Sequence, residues 1–137
     1  MERVVIAAAL VVVAAAVAFV LNRRRPQPPT QGRAPVPAQL DRADFPDGVK
    51  PWLVVVWTSK TCASCEATTQ RARLLESPAV GFVEVPWQDR RDLHDRYGIE
   101  DVPLLVLADR DGVVRASFVG TPEFAELAGA VAAARGD

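Results

Sequence analysis

The feature that most constrains the fold of this chain is an uninterrupted apolar stretch near its N-terminus. Val4–Leu21 contains 18 residues without a charged residue, a proline or a glycine. As an α-helix it would rise by ~27 Å at 1.5 Å per residue, enough to cross the hydrocarbon core of a bilayer. We therefore predict a transmembrane helix over residues 4–21, after a short tail of residues 1–3, which leaves the rest of the chain for at most one folded domain.

The residues that follow this stretch favour an uncleaved anchor. Arg23, Arg24 and Arg25 come directly after it, and adjacent arginines resist translocation of the chain behind them. We therefore expect a single-pass membrane protein whose C-terminal part faces the cytoplasm. The alternative is a cleaved signal peptide, for which the small residues at positions 14, 16 and 18 offer cleavage sites, with the domain on the extracytoplasmic side.

Residues 22–39 form a predicted linker between the membrane and the folded part. From residue 26 to residue 39 the chain contains five prolines and almost no large apolar residue. Such a stretch cannot pack a core and is expected to run as an extended spacer. Residues 40–137 hold the remaining apolar runs and are numerous enough to bury a core without stapling disulfides. We therefore predict one folded domain over residues 40–137.

Charge divides the chain in the same way. Residues 1–40 carry five Arg against one Glu, a net charge of +4, whereas residues 41–137 carry 11 Lys or Arg against 16 Asp or Glu, a net charge of −5. Because an acidic domain repels phosphate, we expect no nucleic acid as a partner. We expect the membrane as a partner, because the N-terminal helix should insert into it.

The folded part alternates strand and helix patterns. Continuous β-branched and aromatic runs predict buried strands, and stretches free of Pro and Gly predict helices. The predicted order is strand 52–57, helix 62–76, strand 80–85, helix 89–97, strand 104–107, turn 109–112, strand 113–119 and a last helix after Pro122. Phe124, Leu127 and Val131 share one apolar stripe of that last helix. The pattern indicates an α/β fold with a mixed central sheet and helices on both faces.

The candidate chemistry lies at Cys62-Ala63-Ser64-Cys65, which contains both cysteines of the chain. A Cys-x-x-Cys pair is typical of metal ligation or of dithiol redox chemistry. A structural zinc site needs four ligands, and with only His94 besides the cysteines we expect no metal. Cys62 is placed at a predicted helix N-terminus, where amide groups and the helix dipole favour its thiolate. Cys65, one turn further on, is placed to attack a mixed disulfide formed at Cys62.

Several ordered segments together resemble the thioredoxin superfamily over about residues 40–137. The Val-Val-Val-Trp-Thr-Ser run leads into the Cys-x-x-Cys pair, and Tyr97–Leu104 is similar to the family's Tyr-Gly-Ile…Pro-Thr segment. Asp111-Gly112 and Phe118–Gly120 resemble its closing hairpin, and a terminal helix follows. The resemblance implies a thioredoxin-like three-layer fold around a mixed sheet, with no cofactor.

The resemblance also implies a substrate-binding segment about 38 residues after Cys65. In that family the proline of this segment is cis and lies against the active-site disulfide. Transferred here, the peptide bond before Pro103 would be cis, at a cost of only ~0.5–1 kcal/mol. The backbone of Val102 would pair with an extended substrate strand. Between the cysteines, Ala63-Ser64 stands in place of the family's common Gly-Pro.

These expectations combine into a membrane-anchored thiol–disulfide oxidoreductase that acts on protein disulfides. Cys62 attacks a target disulfide, Cys65 resolves the mixed disulfide, and an unidentified electron donor must then reduce the Cys62–Cys65 disulfide. A cytoplasmic domain favours a reductase with a role in cell redox homeostasis. An extracytoplasmic domain leaves oxidase, isomerase or cytochrome-maturation roles open. We expect a monomer.

Two other classes of function stay open at this point. One is a partner-docking or redox-sensing thioredoxin-fold module at the membrane, whose own redox chemistry is slow and incidental. The other is a sensor or chaperone that binds a soft metal such as copper(I) through Cys62 and Cys65. Stoichiometric metal retained through purification with a chelator would favour the second class.

Three other conspicuous side chains are expected to have ordinary roles. His94 stands among charged residues, which predicts a solvated helix face. Trp57 is expected in the core. Trp87 follows a predicted strand end, where it either lines the substrate groove or packs against the sheet.

Two charged residues near the cysteines are expected to act on the thiolates. Lys60 precedes Cys62 by two residues and should favour its thiolate. Glu66 adjoins Cys65 and should disfavour a thiolate there. The pattern therefore predicts Cys62 as the nucleophile of the pair.

Overall fold

The N-terminal helix forms a unit of its own. The computed structural model describes residues 1–23, 36–46 and 49–136, with helix α1 at Glu2–Arg23. Its side chains are exposed from residue 1 to residue 20, and the stretch Glu2–Val20 has a mean hydropathy of 2.7. The predicted helix is confirmed, and by length and composition it could cross a membrane. Its insertion into a bilayer stays a prediction.

The predicted linker lies mostly outside the described residues, which resume at Val36. Residues 36–39, predicted as its last part, instead pack with the folded unit. Val36 contacts the core, Gln39 pairs with Val113 as an isolated β-bridge, and the Leu40 amide donates to the Gly112 carbonyl at 2.7 Å. The folded unit thus already includes residue 36, because backbone pairing with residues 112–114 holds this segment in place.

The described part of the folded unit contains strands and helices in the predicted order. They are β1 (Trp52–Thr58), α2 (Cys65–Arg73), β2 (Val80–Pro86), α3 (Arg91–Tyr97), β3 (Leu104–Ala108), β4 (Val114–Val119) and α4 (Phe124–Arg135). A single turn of 3-10 helix precedes them at Arg42–Asp44. The predicted elements are confirmed, with several of their ends shifted.

The strands form one mixed sheet in the order β2-β1-β3-β4. β1 is parallel to β2 and antiparallel to β3, and β3 is antiparallel to β4. β1 is therefore an inner strand, which explains its continuous apolar run: residues 53–58 are all buried. The register pairs Val56 with Glu84 on β2 and with Leu105 on β3. Because cross-strand partners point the same way, these three side chains share one face of the sheet.

An apolar core covers each face of the sheet. Trp57 of β1 and Leu93 of α3 belong to one core. Val56 of β1, Ala72 of α2 and Leu127 of α4 belong to the other. Full burial of a Val or Leu side chain contributes about 1.5–3 kcal/mol to stability. The predicted arrangement of a mixed sheet between helical layers is confirmed, and so is the burial of Trp57.

The predicted turn between β3 and β4 is also confirmed. The Asp109 carboxylate accepts hydrogen bonds from the Asp111 and Val113 amides at 2.9 and 3.0 Å. Gly112 has a φ of 82°, in the left-handed region where glycine is favoured. β4 then begins at Val114, one residue later than predicted. A local motif of turn residues was sufficient to locate this reversal of the chain.

The expected position of His94 on a solvated face is wrong. The side chain is only 2% exposed, and its Nε2 donates to the Val85 carbonyl at 2.8 Å. Its ring lies edge-on to Trp57, with centroids 5.2 Å apart. Consecutive helical residues are about 100° apart, so Leu93 and His94 both reach the sheet from the short helix α3. The charged neighbours in sequence occupy the opposite side of the helix.

The predicted apolar stripe of α4 is right for two of its three residues. Leu127 is buried, and Val131 packs against the same core. Phe124 is 41% exposed. Phe124 is the first residue of α4, at the end of the predicted stripe.

The burial of His94 predicts a measurable contribution to stability. His94→Leu replaces the imidazole by an apolar side chain of similar size and leaves the Val85 carbonyl without its donor. We expect the free energy of unfolding to fall by about 1–3 kcal/mol, the cost of an unsatisfied buried polar group. Urea denaturation of the full chain in detergent, followed by Trp fluorescence, measures this change.

Asp95→Asn is the matched control on the same helix, because Asp95 is exposed and its carboxylate forms an ion pair of 3.9 Å with Arg91. Its effect is expected to stay within about 0.5 kcal/mol. An equal effect of the two substitutions would contradict a structural role for the buried imidazole.

Candidate active site

The candidate site lies in the loop that joins β1 to α2. β1 ends at Thr58, and α2 begins at Cys65. Within the loop, the Cys62 amide donates to the Ser59 carbonyl at 3.1 Å, and the Cys65 amide donates to the Cys62 carbonyl at 3.4 Å. These turns bring the chain back over the end of the sheet, so the buried strand determines where the cysteines lie.

Cys62 and Cys65 form a disulfide, with their Cα atoms 5.4 Å apart. Cys62 is half-buried, whereas Cys65 is 4% exposed and faces the core side of α2. The two sulfurs therefore differ in access: a large molecule can approach Cys62, but Cys65 is shielded by the protein. This asymmetry is the one expected of an attacking and a resolving thiol.

The start of α2 differs from the prediction. The helix begins at Cys65 rather than at Cys62, and Ser64 is the residue just before it. Cys62 thus precedes the helix by three residues, and Cys65 occupies its first position instead of lying one turn further in. A stretch without Pro or Gly is compatible with helix over its whole length, so composition alone does not locate the start.

Ser64 is a site residue that the sequence pattern did not single out. Its Oγ lies 3.7 Å from the Cys62 Sγ, close enough for a weak hydrogen bond to sulfur. Since a disulfide sulfur carries no hydrogen, the hydroxyl is the donor. The same donor can stabilise negative charge on the Cys62 sulfur once the disulfide is reduced.

Hydrogen bonds attach the cysteine loop to the segment after β2. The Lys60 amide donates to the Gln88 Oε1 at 3.0 Å, and the Gln88 Nε2 donates to the Ser59 Oγ at 3.0 Å. The Lys60 ammonium, expected to act on Cys62, pairs with the Asp89 carboxylate at 2.8 Å. Its positive charge is therefore partly compensated on the surface, and such an exposed pair has a small net effect.

Trp87 lies beside this loop. Its amide donates to the Thr58 carbonyl at 2.9 Å. The side chain is 40% exposed, and the Arg91 guanidinium lies 4.9 Å from the centroid of its ring. Of the two expectations for this residue, complete burial against the sheet is wrong.

Val102 and Pro103 lie at the same end of the sheet as the cysteine loop. β3 begins directly after Pro103, and its first residue, Leu104, pairs with Trp57 near the end of β1. The Val102–Pro103 peptide bond is cis. Pro103 is buried, and Val102 is half-buried. The register thus brings together the two segments that are 38 residues apart in sequence.

A chain of hydrogen bonds connects this proline to α2. The Gly120 amide donates to the Pro103 carbonyl at 3.0 Å. The Thr68 hydroxyl lies 3.4 Å from the Gly120 carbonyl and 3.3 Å from the Thr121 hydroxyl. Thr68 is fully buried on α2. The helix that carries Cys65 is therefore held to the segments around Pro103 by polar contacts as well as by the core.

An open cleft of about 600 Å³ borders the disulfide. Cys62 and Cys65 line it together with Glu66 and Thr69 of α2 and Glu84 of β2. The Glu84 Oε1 accepts a hydrogen bond from the buried Thr58 hydroxyl at 3.1 Å. Sequence reasoning missed Glu84, although a single charged residue within an apolar strand was an available signal.

Comparisons with known proteins identify the fold. No family model and no curated protein matches the chain. Among solved structures, a mutant thioredoxin from Halobacterium salinarum NRC-1 is 19% identical, with a TM-score of 0.54 over 61% of this chain and 74% of that chain. Spinach chloroplast thioredoxin f is 22% identical, with a TM-score of 0.55 over 74% of this chain and 97% of that chain.

The oxidized form of mitochondrial thioredoxin 3 from Saccharomyces cerevisiae is also similar. It is 21% identical, with a TM-score of 0.50 over 60% of this chain and 78% of that chain. Identities at this level are informative about the fold only. The mixed sheet, its helices on both faces and these structural neighbours agree: the chain has a thioredoxin fold.

Proposed function

We propose that the chain is a thiol–disulfide oxidoreductase that acts on protein disulfides. The observation that carries this proposal is the disulfide between a half-buried Cys62 and a buried Cys65, placed between an inner strand and the start of a helix. An oxidised pair that a substrate can approach from one side is the minimum that disulfide exchange requires. The thioredoxin fold supports the same conclusion.

In this proposal Cys62 is the nucleophile. Its partial exposure lets a protein disulfide approach, and the Ser64 hydroxyl supplies a hydrogen bond to its sulfur. The nearby start of α2 adds amide groups and the positive end of the helix dipole, both of which favour a thiolate. Cys65 is shielded by the core side of α2 and takes the resolving role.

The proposed reaction has two exchange steps. The Cys62 thiolate attacks one sulfur of a substrate disulfide, which forms a mixed disulfide and releases the other substrate sulfur as a thiolate. Cys65, after losing its proton, attacks the Cys62 sulfur, which forms the Cys62–Cys65 disulfide and releases the second substrate thiolate. The substrate gains two electrons, and an electron donor must return two electrons to the cysteine pair.

Val102 and Pro103 are the proposed substrate-binding residues. They lie at the end of the sheet that carries the cysteine loop, and Val102 is not fully buried. An extended substrate segment could pair with the Val102 backbone while its disulfide reaches Cys62, because main-chain pairing recognises a strand whatever its sequence.

For the whole chain we propose a monomer with a single-pass anchor at residues 4–21, a linker that follows it, and a catalytic domain that comprises the predicted residues 40–137 together with the packed residues 36–39. The length and hydropathy of α1 support the anchor. The arginines after it favour a cytoplasmic domain, and a reducing compartment favours the reductase direction. A cleaved signal peptide and an extracytoplasmic domain are the alternatives.

The reductase activity predicts a specific effect of Cys62→Ser. In an insulin-reduction assay with dithiothreitol, the wild-type chain should accelerate precipitation. The substitution should lower the protein-dependent part of the precipitation rate about tenfold or more, because the nucleophile is lost. Equal rates in the two proteins would favour a docking or sensing module over an enzyme.

Cys65→Ser serves as the matched control for that assay. It keeps the attacking thiol and loses only the resolving one, so we expect a mixed disulfide with the substrate to accumulate. Non-reducing gel electrophoresis detects this species. Its absence would contradict the assignment of roles to the two cysteines.

The difference in burial predicts that alkylation of the reduced protein is selective. At about neutral pH, iodoacetamide should modify Cys62 about tenfold or more faster than Cys65, since reactivity follows access and thiolate character. Mass spectrometry of peptides after timed quenching measures both rates. Unfolding in urea should make the rates similar, and equal rates in the folded protein would contradict the proposed nucleophile.

The proposed topology predicts how the thiols label in intact cells. A membrane-impermeant maleimide should leave reduced Cys62 unmodified until the membrane is permeabilised, because the domain faces the cytoplasm. Rapid labelling of intact cells would instead place the domain outside. Retention of the full-length chain in carbonate-washed membranes tests the anchor separately, since a cleaved signal peptide would yield a shorter chain.

A further inference from the structure

Thr68 is a buried polar residue of α2 that contacts two separate parts of the candidate site. Its side chain is fully buried on the helix that begins with Cys65. Its hydroxyl lies 3.3 Å from the carbonyl of Ser64, which stands between the two cysteines, and 3.4 Å from the carbonyl of Gly120, 52 residues away in sequence. One hydroxyl therefore joins the cysteine loop to a distant segment of the chain.

These two contacts of the Thr68 hydroxyl differ in origin. The contact with Ser64 is local, because a threonine in a helix commonly bonds the carbonyl four residues before it. The Thr68 amide donates to the same carbonyl at 3.3 Å, so Ser64 has a donor even when the hydroxyl donates elsewhere. A hydroxyl carries one hydrogen and two lone pairs, so it can donate to Gly120 and accept from the Thr121 hydroxyl, 3.3 Å away. The contact with residues 120 and 121 exists only because the tertiary structure brings them to α2.

Gly120 connects this hydroxyl to the residues proposed to bind substrate. Its amide donates to the Pro103 carbonyl at 3.0 Å, which extends the pairing of β3 with β4 by one residue. The backbone of Val102 precedes this carbonyl directly. The position of the Val102–Pro103 backbone relative to α2 is therefore determined in part by the bond between Thr68 and Gly120.

α2 holds the same segment at a second point. Arg71, one turn after Thr68, donates from its Nη1 to the Pro122 carbonyl at 2.8 Å and lies 3.8 Å from the Glu123 carboxylate. Residues three apart in a helix lie on the same side of it, so both side chains reach the segment together. Arg71 is half-buried and holds the part that leads into α4, whereas Thr68 is buried and holds the part next to Pro103. Of the two, Thr68 is the one closer to the substrate-binding backbone.

We propose that Thr68 is a positioning residue for protein substrates, whose hydroxyl sets the distance between the cysteine loop and the Val102–Pro103 backbone. An extended substrate that pairs with this backbone must also bring its disulfide to Cys62, so the two parts of the site must be held at a matching distance. A small disulfide requires only access to Cys62. The inference deepens the proposed oxidoreductase function and rests on it. Thr68 itself touches neither the substrate nor the reacting sulfurs.

The experiment compares a protein disulfide with a small one. The full chain in detergent is reduced, freed of reductant and mixed with an excess of insulin or of dithiobis-nitrobenzoate. With insulin, acid quenching and alkylation by a maleimide-linked polyethylene glycol show the loss of the chain's thiols on a gel. With dithiobis-nitrobenzoate, the first release of coloured thiolate reports attack by Cys62. Each reaction gives a second-order rate constant, and their ratio measures the preference for the protein substrate.

Thr68→Val is the decisive variant, because valine keeps the branched shape of threonine but lacks its hydroxyl. We expect the rate constant with insulin to fall about fivefold or more, the effect of one hydrogen bond of ordinary strength, and that with dithiobis-nitrobenzoate to change by less than about twofold. The pH dependence of the reaction with dithiobis-nitrobenzoate should stay unchanged, since the surroundings of the Cys62 thiolate are kept. Thr68→Ser keeps a hydroxyl and should restore the insulin rate constant to within about twofold of the wild type.

Thr69→Val is the matched control. It makes the same substitution at the next residue of α2, which is also buried but whose hydroxyl has no hydrogen-bond partner among the described residues. Because consecutive helical residues are about 100° apart, Thr69 does not share the side of α2 that faces Gly120. We expect both of its rate constants to stay within about twofold of the wild type.

Tryptophan fluorescence shows whether Thr68→Val is folded. If it is not, Thr121→Val takes its place, because it removes the hydroxyl bonded to Thr68 from an exposed position. There we expect the insulin rate constant alone to fall, by about twofold or more.

An unchanged insulin rate constant in the folded variant, or an equal fall with both disulfides, would overturn the inference and leave the proposed function intact. Failure of Thr68→Ser to restore the rate, or an equal loss in Thr69→Val, would overturn it as well. A wild-type chain that reacts with dithiobis-nitrobenzoate but not with insulin would instead refute the proposed function itself.

Discussion

The backbone pairing of β1 is the constraint on which the rest of the folded unit depends. β2 pairs with it in parallel and β3 pairs with it antiparallel, so both of its edges are occupied. Its residues 53–58 are buried by a core on each face of the sheet. A strand held in this way cannot shift without exposing apolar side chains on both faces. The loop that carries the cysteines therefore starts from a fixed point at Thr58, which limits where the cysteines can lie.

The chemistry of the site follows from where this rigid strand ends. Beyond Thr58 the chain leaves the core, so large molecules can reach Cys62. Cys65 lies on the buried side at the start of α2. The parallel pairing with β2 also places Glu84 on the α2 side of the sheet. Pro103 reaches the same end because β3 runs antiparallel to β1. One end of the sheet thus brings together both cysteines, Glu84 and Pro103.

Particular residues illustrate how far prediction from sequence extends. The run 52–57 and the turn 109–112 were located almost to the residue, because burial on both faces and turn chemistry leave strong local patterns. The start of α2 was misplaced by three residues, since helix propensity does not distinguish a loop of good helix formers from a first turn. His94 was misassigned because a seven-residue helix with a single aliphatic residue, Leu93, shows no clear period.

The succession of strands and helices along the chain and the Cys-x-x-Cys pair were readable from local sequence, because each depends on residues that are near one another in the chain. The surroundings of that pair were not. Thr58 and Glu84, 26 residues apart, meet through the parallel register of two strands, and Thr69 meets the same cleft through the packing of α2. Such contacts are decided only when the sheet forms, because register and helix packing, rather than any local pattern, determine which distant side chains become neighbours.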